Sequence, residues 1–304
     1  MPPIAIVRNL VKRYGRIEAL RNVTFQIPEG AVAGLLGPNA SGKTTTMKIL
    51  LGLLRRNAGE VEVFGFDPWT DEVEVRRRTG VLHEKPIYPQ DERVEALLKH
   101  VARLRGVPLS DIERVLRLAG LKEYAATQIR TLSRGYLQRL GLAIALIGEP
   151  DLLLLDEPTA NLDPSARLEI LRLIRTLKEE LNVTVLVSSH IIPELQEVCD
   201  YAIFIQSGVV VDYGNMDELA RRHRVSASYY VRTRDPRLIA SRLIAEDFSE
   251  AIEVLDGAVM LRVASGMHAA AEATLSKLTA EGLVEGYELK TASLSELYLK
   301  VIAS

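Results

Sequence analysis

The sequence predicts an α/β protein in which a large domain on a mostly parallel sheet is followed by a small α+β domain. Three observations lead there. Residues 31–36 and 152–155 are short apolar runs, the pattern of strands buried on both faces of a parallel sheet. Each run leads through a polar loop into a stretch with helical spacing, which is the α/β alternation. Beyond residue 225 the rhythm restarts as strand, helix, two strands, helix, strand.

Near the N-terminus Ile4 and Ile6, then Val23, Phe25 and Ile27, alternate with polar neighbours as strand residues do. Pro28-Glu29-Gly30 is a turn ahead of the first buried run. The loop from Gly37 to Gly42 follows, and 43–55 carries helical spacing through Met47, Leu50, Leu51 and Leu54. Between 89 and 121 the pattern is helical, with Val94, Leu97, Leu98, Val101 and Leu104 on one face. A second helix is expected from Ser110, an N-cap with Glu113 three residues on, to Leu118. After Ser133 another helix carries 137–147. The run 152–155 ends in Asp156-Glu157-Pro158, helix 165–181 and strand 183–188 repeat the unit, and strands at 201–205 and 209–211 close the domain. These readings place a large domain at 1–224, with a helical subdomain at about 86–148, and an accessory domain at 225–304. In the latter, 229–232, 237–245, 251–255, 259–263, 268–278 and 284–289 read as βαββαβ, a ferredoxin-like unit, before a last helix near 294–302.

Composition narrows the function classes. The 304 residues carry 38 Lys and Arg against 40 Asp and Glu, a net charge of −2, which gives no general electrostatic reason to bind nucleic acid. The one cysteine, Cys199, excludes a disulfide within the chain and fits a reducing cytoplasm. The first residues have no signal-peptide shape, and no stretch reaches the about 18 uninterrupted apolar residues of a membrane helix. The richest candidate, 140–155, is broken by Gly148, Glu149, Pro150 and Asp151. Any path across a membrane has to be formed by another chain.

Two motifs carry chemistry. Gly37-Pro38-Asn39-Ala40-Ser41-Gly42-Lys43-Thr44 has the spacing G-x-x-x-x-G-K-[ST] between a buried strand and a helix. In such a loop successive backbone N–H groups and the helix N-terminus hold a polyphosphate. Lys43 is expected to reach the β- and γ-phosphates, Thr44 to offer its hydroxyl to Mg²⁺, and Thr45 to complete the ATP-binding set. Downstream, Asp156 at a strand end is suited to bind Mg²⁺, and Glu157 to polarise an attacking water.

Leu132-Ser133-Arg134-Gly135-Tyr136-Leu137-Gln138-Arg139, shortly before the acidic strand end, resembles the ABC signature, usually LSGGQ. Tyr14 upstream of the loop, Asn161-Leu162-Asp163-Pro164 after the acids and Ser188-Ser189-His190 after the next strand complete the order of the ABC ATPases, a P-loop NTPase family with a mixed sheet and a helical subdomain. The resemblance covers residues 4 to about 220. It implies that Tyr14 stacks on adenine and that His190 acts beside Glu157 and Lys43 as a catalytic residue. By composition alone Tyr14 reads as a half-buried strand aromatic and His190 as a structural residue at a strand end.

The resemblance further implies that Leu132, Ser133, Arg134, Gly135 and Tyr136 contact the nucleotide held by a second copy, or by a paralogous ATPase subunit, with Asp163 at the interface between them. Three positions depart from the family. Ala40 replaces a loop glycine, Arg134 and Tyr136 replace Gly and Gln in the signature, and Glu84 takes the place of the loop glutamine as a metal-side oxygen donor with Thr44 and Asp156. Together with the extra C-terminal domain and its late segment Ala292-Ser293-Leu294-Ser295-Glu296-Leu297-Tyr298, they are similar to the ATPase subunits of drug-resistance and polysaccharide-type exporters.

The expectation is therefore an ATP- and Mg²⁺-dependent ATPase, peripheral on the inner face of the cell membrane, that drives a separate permease. Two other readings stay open. A soluble ABC ATPase of ribosomes or DNA would carry two cassettes or a long coiled coil, whereas one cassette is present and roughly 90 residues separate Gly42 from Ser133. A small-molecule kinase would have no use for Ser133, Gly135 and His190 in this order. Within the transporter reading, Glu84 and Tyr136 also allow a subunit that binds ATP and hydrolyses it poorly.

Overall fold

The computed structural model describes residues 2–303 except 197, 224, 265, 266, 291 and 292, so Ala292 of the C-terminal segment lies outside the described residues. Two compact units divide the chain, 1–213 and 214–304.

The first unit opens with β1 (Pro3–Tyr14) and β2 (Ile17–Pro28), an antiparallel hairpin. Then come the fully buried β3 (Val32–Leu36) and α1 (Lys43–Leu50). This helix stops five residues before the expected end at Arg55, with Leu51 as its cap. Gly52 then turns at φ 65, where a Cβ would stand 1.8 Å from the Pro68 carbonyl oxygen, so the chain has to leave the helical path there. β4 (Ala58–Val63) pairs with β1 and completes a three-stranded antiparallel sheet, order β2-β1-β4.

Short α2 (Glu72–Arg77) and β5 (Thr79–Leu82) lead into α3 (Val94–Arg105), α4 (Asp111–Leu118) and α5 (Arg134–Leu146). Ser110 does not cap α4 as expected. Its own backbone is already helical and its side chain makes no cap bond, because the chain enters α4 through a turn in which the Asp111 and Ile112 N–H groups donate to the Pro108 and Leu109 carbonyl oxygens at 3.1 and 3.2 Å. β6 (Leu152–Asp156), α6 (Pro164–Leu181), β7 (Thr184–Ser189), α7 (Ile192–Leu195), β8 (Tyr201–Gln206) and β9 (Val209–Asn215) complete the second sheet, order β5-β6-β7-β3-β8-β9.

β5, β6, β7, β3 and β8 run parallel, and their register brings their carboxyl ends level. Asp156 stands opposite Ser188, and Leu36 opposite Ser189. In a parallel α/β sheet, ligands bind in the crevice beyond those ends. The core between the two sheets contains Val7, Leu20, Phe25, Leu35, Leu154 and Ile203 with Met47 and Leu50 of α1, all buried. A hydrophobic body therefore anchors the strand on one side of the Gly-rich loop and the helix on the other. Burial pushes the Cys199 thiol above its usual range, so it packs as an inert apolar group.

The second unit begins with α8 (Met216–Arg222), ahead of the expected boundary at 225, because this helix contacts the final one, α11 (Leu294–Ala303). Between them lie β10 (Ala227–Arg232), α9 (Pro236–Leu243), β11 (Ser249–Leu255), β12 (Ala258–Val263), α10 (His268–Ala280) and β13 (Gly286–Lys290). The strand order is β11-β12-β10-β13 with antiparallel neighbours, a split βαβ arrangement. Tyr229, Val231, Leu261 and Val263 on one sheet face pack with Leu243 of α9 and Leu275 of α10. No helix among the described residues is long and apolar enough to cross a membrane.

Candidate functional site

The Gly-rich loop is shaped by a close backbone approach. At Gly37 a Cβ would stand 2.0 Å from the Ile205 carbonyl oxygen at the end of β8, so only glycine fits. The Gly37 N–H points to the Ser189 carbonyl oxygen at 3.4 Å, and the chain then turns through Ser41 into α1. Ala40 holds φ 62, the left-handed conformation that a Cβ disfavours, which is the consequence of placing alanine where the family has glycine. Lys43, the first residue of α1, is buried and its side chain folds back over the loop. Its Nζ donates to the carbonyl oxygens of Gly37 at 2.8 Å and Pro38 at 3.1 Å. The Ser41 hydroxyl is buried within the loop without a protein partner.

Two acids meet this lysine from the neighbouring strand end. Asp156 is buried and accepts a hydrogen bond from the Ser188 hydroxyl at 2.6 Å. That same hydroxyl accepts from the Glu157 N–H at 2.9 Å, so one serine on β7 fixes both acidic residues. Glu157 leaves the strand at φ 50, in the left-handed region. Its Oε1 lies 3.3 Å from Lys43 Nζ, and its Oε2 lies 2.8 Å from His190 Nδ1. A carboxylate only accepts, so the tautomer that bonds here carries its proton on Nδ1.

These groups open onto a cavity of about 750 Å³ whose wall includes Asn39, Thr44, Glu84, Asn161, Arg167 and His190. Its size is that of a nucleotide-scale pocket, in the usual range of ~300–1,000 Å³ for ligand clefts. Ala40, Ser41, Gly42, Lys43, Thr45 and Glu157 also line it. Thr44 borders a second, water-sized cavity of about 10 Å³ that it shares with His83 and Asp156. Glu84 sits at the wall with its carboxylate 3.7 Å from Lys85 Nζ.

Tyr14 is not part of the wall. It is 47% exposed at the end of β1, with Lys12 Nζ 5.1 Å from its ring centre, and Ala19 lines the cavity from this hairpin.

The residues fit Mg²⁺ in one specific sense. Among the described residues no cluster of three or more His, Cys, Asp or Glu is arranged to hold a metal by itself. The Thr44 hydroxyl, Asp156 and Glu84 are hard oxygen donors, and Mg²⁺ is commonly bound by one or two carboxylates plus substrate phosphates and water. Such a donor set needs a polyphosphate to complete it.

Leu132 to Tyr136 stand apart from this cavity, and none of them lines it. Ser133 caps α5, its hydroxyl accepting from the Tyr136 N–H at 3.4 Å. Arg134 donates to the Asn161 carbonyl oxygen at 3.4 Å, and the Cα of Gly135 faces Ala166 of α6. Tyr136 is turned onto Tyr124, whose hydroxyl donates to the Tyr136 oxygen at 2.8 Å, with ring centres 4.0 Å apart. Asp163 caps α6 by accepting from the Ala166 N–H at 3.0 Å.

Sequence reasoning missed three participants. Ser188 was visible only as part of a tripeptide, and its bridge follows from the register that sets it beside Asp156. Asn161 reaches the wall through a left-handed turn at φ 60. Arg167 reaches it from the first turn of α6, where Glu194 holds its guanidinium at 2.6 Å. No periodicity marks such a residue.

The ABC transporter family model matches residues 20–160. The bacitracin transport ATP-binding protein BcrA of Bacillus licheniformis is 30% identical over 305 residues, covering 99% of this chain and 98% of that protein. The lantibiotic transport ATP-binding protein SrtF of Streptococcus pyogenes is 37% identical, over 67% of this chain and 88% of its own length. Among solved structures, cbiO1 from Clostridium perfringens, described as part of the ABC transporter complex cbiONQ, superposes with a TM-score of 0.66 at 26% identity, over 72% of this chain and 91% of that one. A dimeric post-hydrolysis state of the ATP-binding cassette MJ0796 bound to ADP and Pi superposes with a TM-score of 0.62 at 26% identity, over 69% and 98%. Together with the cavity geometry these likenesses give the P-loop ABC ATPase fold and its reaction, and the chain belongs to the ABC transporter family as an ATP-binding, ATP-hydrolysing subunit.

Proposed function

We propose that two copies of this chain, or one copy and a paralogue, close on two ATP molecules and thereby drive a separate membrane-spanning permease that exports its substrate. The observation that carries this reading is the separation of the two half-sites. Ser133 and Arg134 are exposed at the start of α5 and line no part of the chain's own phosphate cavity, which leaves Ser133 and the Gly135 backbone open to the γ-phosphate held by another copy. Leu132, Arg134 and Tyr136 would shape that turn, and Asp163 would lie at the same interface. The dimeric state of MJ0796 and the membership of cbiO1 in a multi-subunit transporter favour such an assembly. The names of BcrA and SrtF, for bacitracin and lantibiotic transport, favour a transported compound over a ribosome or nucleic acid.

Within each site, the backbone of Gly37 to Gly42 cradles the β- and γ-phosphates and Lys43 neutralises their charge. Thr45 adds a hydroxyl at the start of the helix, and the exposed Tyr14 ring is available to stack on adenine. Thr44, Asp156 and Glu84 are the donors that would hold Mg²⁺, which supplies further neutralisation of phosphate charge. Glu157 orients the attacking water, and His190, bonded to its carboxylate, holds it in place. Because no described helix spans a membrane, attachment to the inner face of the cell membrane would come through the permease.

Light scattering tests the assembly. Glu157→Gln with ATP should run at twice the mass of one chain, and Glu157→Gln with ADP at the mass of one chain. The double variant Ser133→Arg, Glu157→Gln should stay at the mass of one chain in both. A single-chain mass for Glu157→Gln at saturating ATP would refute pairing of two identical copies, and the same mass after addition of the paralogous subunit would refute the dimer mechanism.

A further inference from the structure

The ammonium of a lysine has three protons to donate. At Lys43 the protein surrounds the ammonium with three oxygens: it donates to the Gly37 oxygen at 2.8 Å and the Pro38 oxygen at 3.1 Å, and it is ion-paired with Glu157 Oε1 at 3.3 Å. A phosphate oxygen that bonds Lys43 has to replace one of them. The two carbonyls belong to the loop backbone, whose path is fixed by the close approach of Gly37 to Ile205. Glu157 is the acceptor able to leave. Its backbone is pinned by the Ser188 hydroxyl at 2.9 Å, but its carboxylate moves by rotation of its own side chain. We infer that Glu157 has a second role besides activating water: its carboxylate competes with nucleotide phosphate for Lys43, so that phosphate arrival is what releases the base.

The distances favour an exchange over a permanent bridge. At 3.3 Å the contact with Lys43 is longer than the ~2.7–2.9 Å of a strong charge-assisted hydrogen bond, whereas the His190 contact at 2.8 Å is within it. Phosphate on Lys43 therefore breaks the weaker of the two bonds. Oε2 stays with His190, and Oε1 becomes free to accept a proton from water. Both residues are buried, so the pair is little screened by solvent. In this arrangement the site holds its own anion until phosphate replaces it. Glu157 cannot act on water while Lys43 holds Oε1. This deepens the nucleotide reading of the site and rests on it.

The test is the affinity of the full-length chain for ADP without Mg²⁺, measured by isothermal titration calorimetry, with folding checked by circular dichroism. ADP in the absence of metal removes both hydrolysis and ATP-driven dimerisation from the measurement. Glu157→Gln replaces a charged acceptor by a neutral one and should bind ADP about fivefold more tightly than wild type. Glu157→Asp separates competition from simple charge repulsion. It keeps the negative charge in the cavity but withdraws the oxygens from Lys43 by one methylene, and it should also bind ADP more tightly, by about threefold. Wild-type affinity in Glu157→Asp beside tighter binding in Glu157→Gln would overturn the proposal in favour of through-space repulsion. Unchanged affinity in both variants would overturn it outright. Failure of the wild-type chain itself to bind ADP at millimolar concentration would remove the nucleotide reading, and the competition with it.

Discussion

Replacing Ser188 by alanine should damage both acidic residues at once, although Ser188 touches no nucleotide. Its hydroxyl is fully buried, donates to Asp156 Oδ1 at 2.6 Å and accepts from the Glu157 N–H at 2.9 Å. Ser188→Ala leaves a buried backbone N–H without a partner, at a cost of about 1–3 kcal/mol, and removes a donor from a buried carboxylate, worth a similar amount. The two losses share one atom and are not independent, so about 2–4 kcal/mol is expected for the first unit. That corresponds to a melting temperature lower by roughly 2–4 °C for each kcal/mol at this chain size. Turnover should fall about tenfold or more, since about 1.4 kcal/mol of lost transition-state positioning already has that effect. Urea unfolding followed by far-UV circular dichroism and a steady-state phosphate-release assay measure the two. Ser189→Ala is the internal standard. Its hydroxyl accepts from the Ile191 N–H at 2.9 Å and donates to the Ile191 carbonyl oxygen at 3.4 Å, a local, partly buried pair that touches neither acid, so its loss should cost about 1 kcal/mol and leave turnover unchanged. Equal destabilisation by the two variants would refute the bridging role of Ser188.

Three further outcomes follow from local geometry. Ala40→Gly relieves a left-handed alanine, worth about 1 kcal/mol, against a similar entropic cost of the added glycine, so stability should stay within about 1 kcal/mol of wild type and ADP affinity within about twofold. A calorimetric melt and a titration check both values. Asp163→Ala removes the cap of α6 and should cost about 1 kcal/mol in urea unfolding, with Asp163→Asn recovering most of it. The Arg56 guanidinium, bonded to both Asp67 oxygens at 2.9 and 2.6 Å, holds that carboxyl below its usual range. A carboxyl depressed in the folded state stabilises above its unfolded pKa of about 4 and loses that contribution as pH falls through the folded value. Asp67→Asn should therefore be less stable than wild type at pH 7, and the gap should close under acid titration below about pH 4.

Much of the site was legible because the parallel sheet converts sequence order into position. The apolar runs 31–36 and 152–155 could be recognised as buried strands, and the polar residues after them had to emerge at one sheet edge. Asp156 and Glu157 were thus nameable from where a run stops and Lys43 from the spacing of the loop after one, whereas the role of His190 came from the resemblance. What the sequence did not reveal depends on torsions and register. The contact between Lys43 and Glu157 is a matter of side-chain rotation, and the Ser188 bridge depends on a pairing between strands distant in sequence. The exposure of Tyr14 was not legible either: the hairpin turns Ala19 toward the cavity and leaves the Tyr14 ring open to solvent. Ser110 looked like a helix cap, but the chain already turns at Pro108 and Leu109, whose carbonyl oxygens take the Asp111 and Ile112 N–H groups. The first unit also ends before 225, because α8 finds its contact at the far end of the chain, in α11.

The central claim is that Glu157 makes this chain an ATPase once Lys43 has taken the phosphate. The most direct measurement compares wild type and Glu157→Gln for ATP binding and for phosphate release in the same preparation with Mg²⁺. Retained ATP binding with turnover reduced about a hundredfold or more is the expected result, in the range that positioned acid–base groups contribute. Phosphate release by Glu157→Gln close to that of wild type would contradict it.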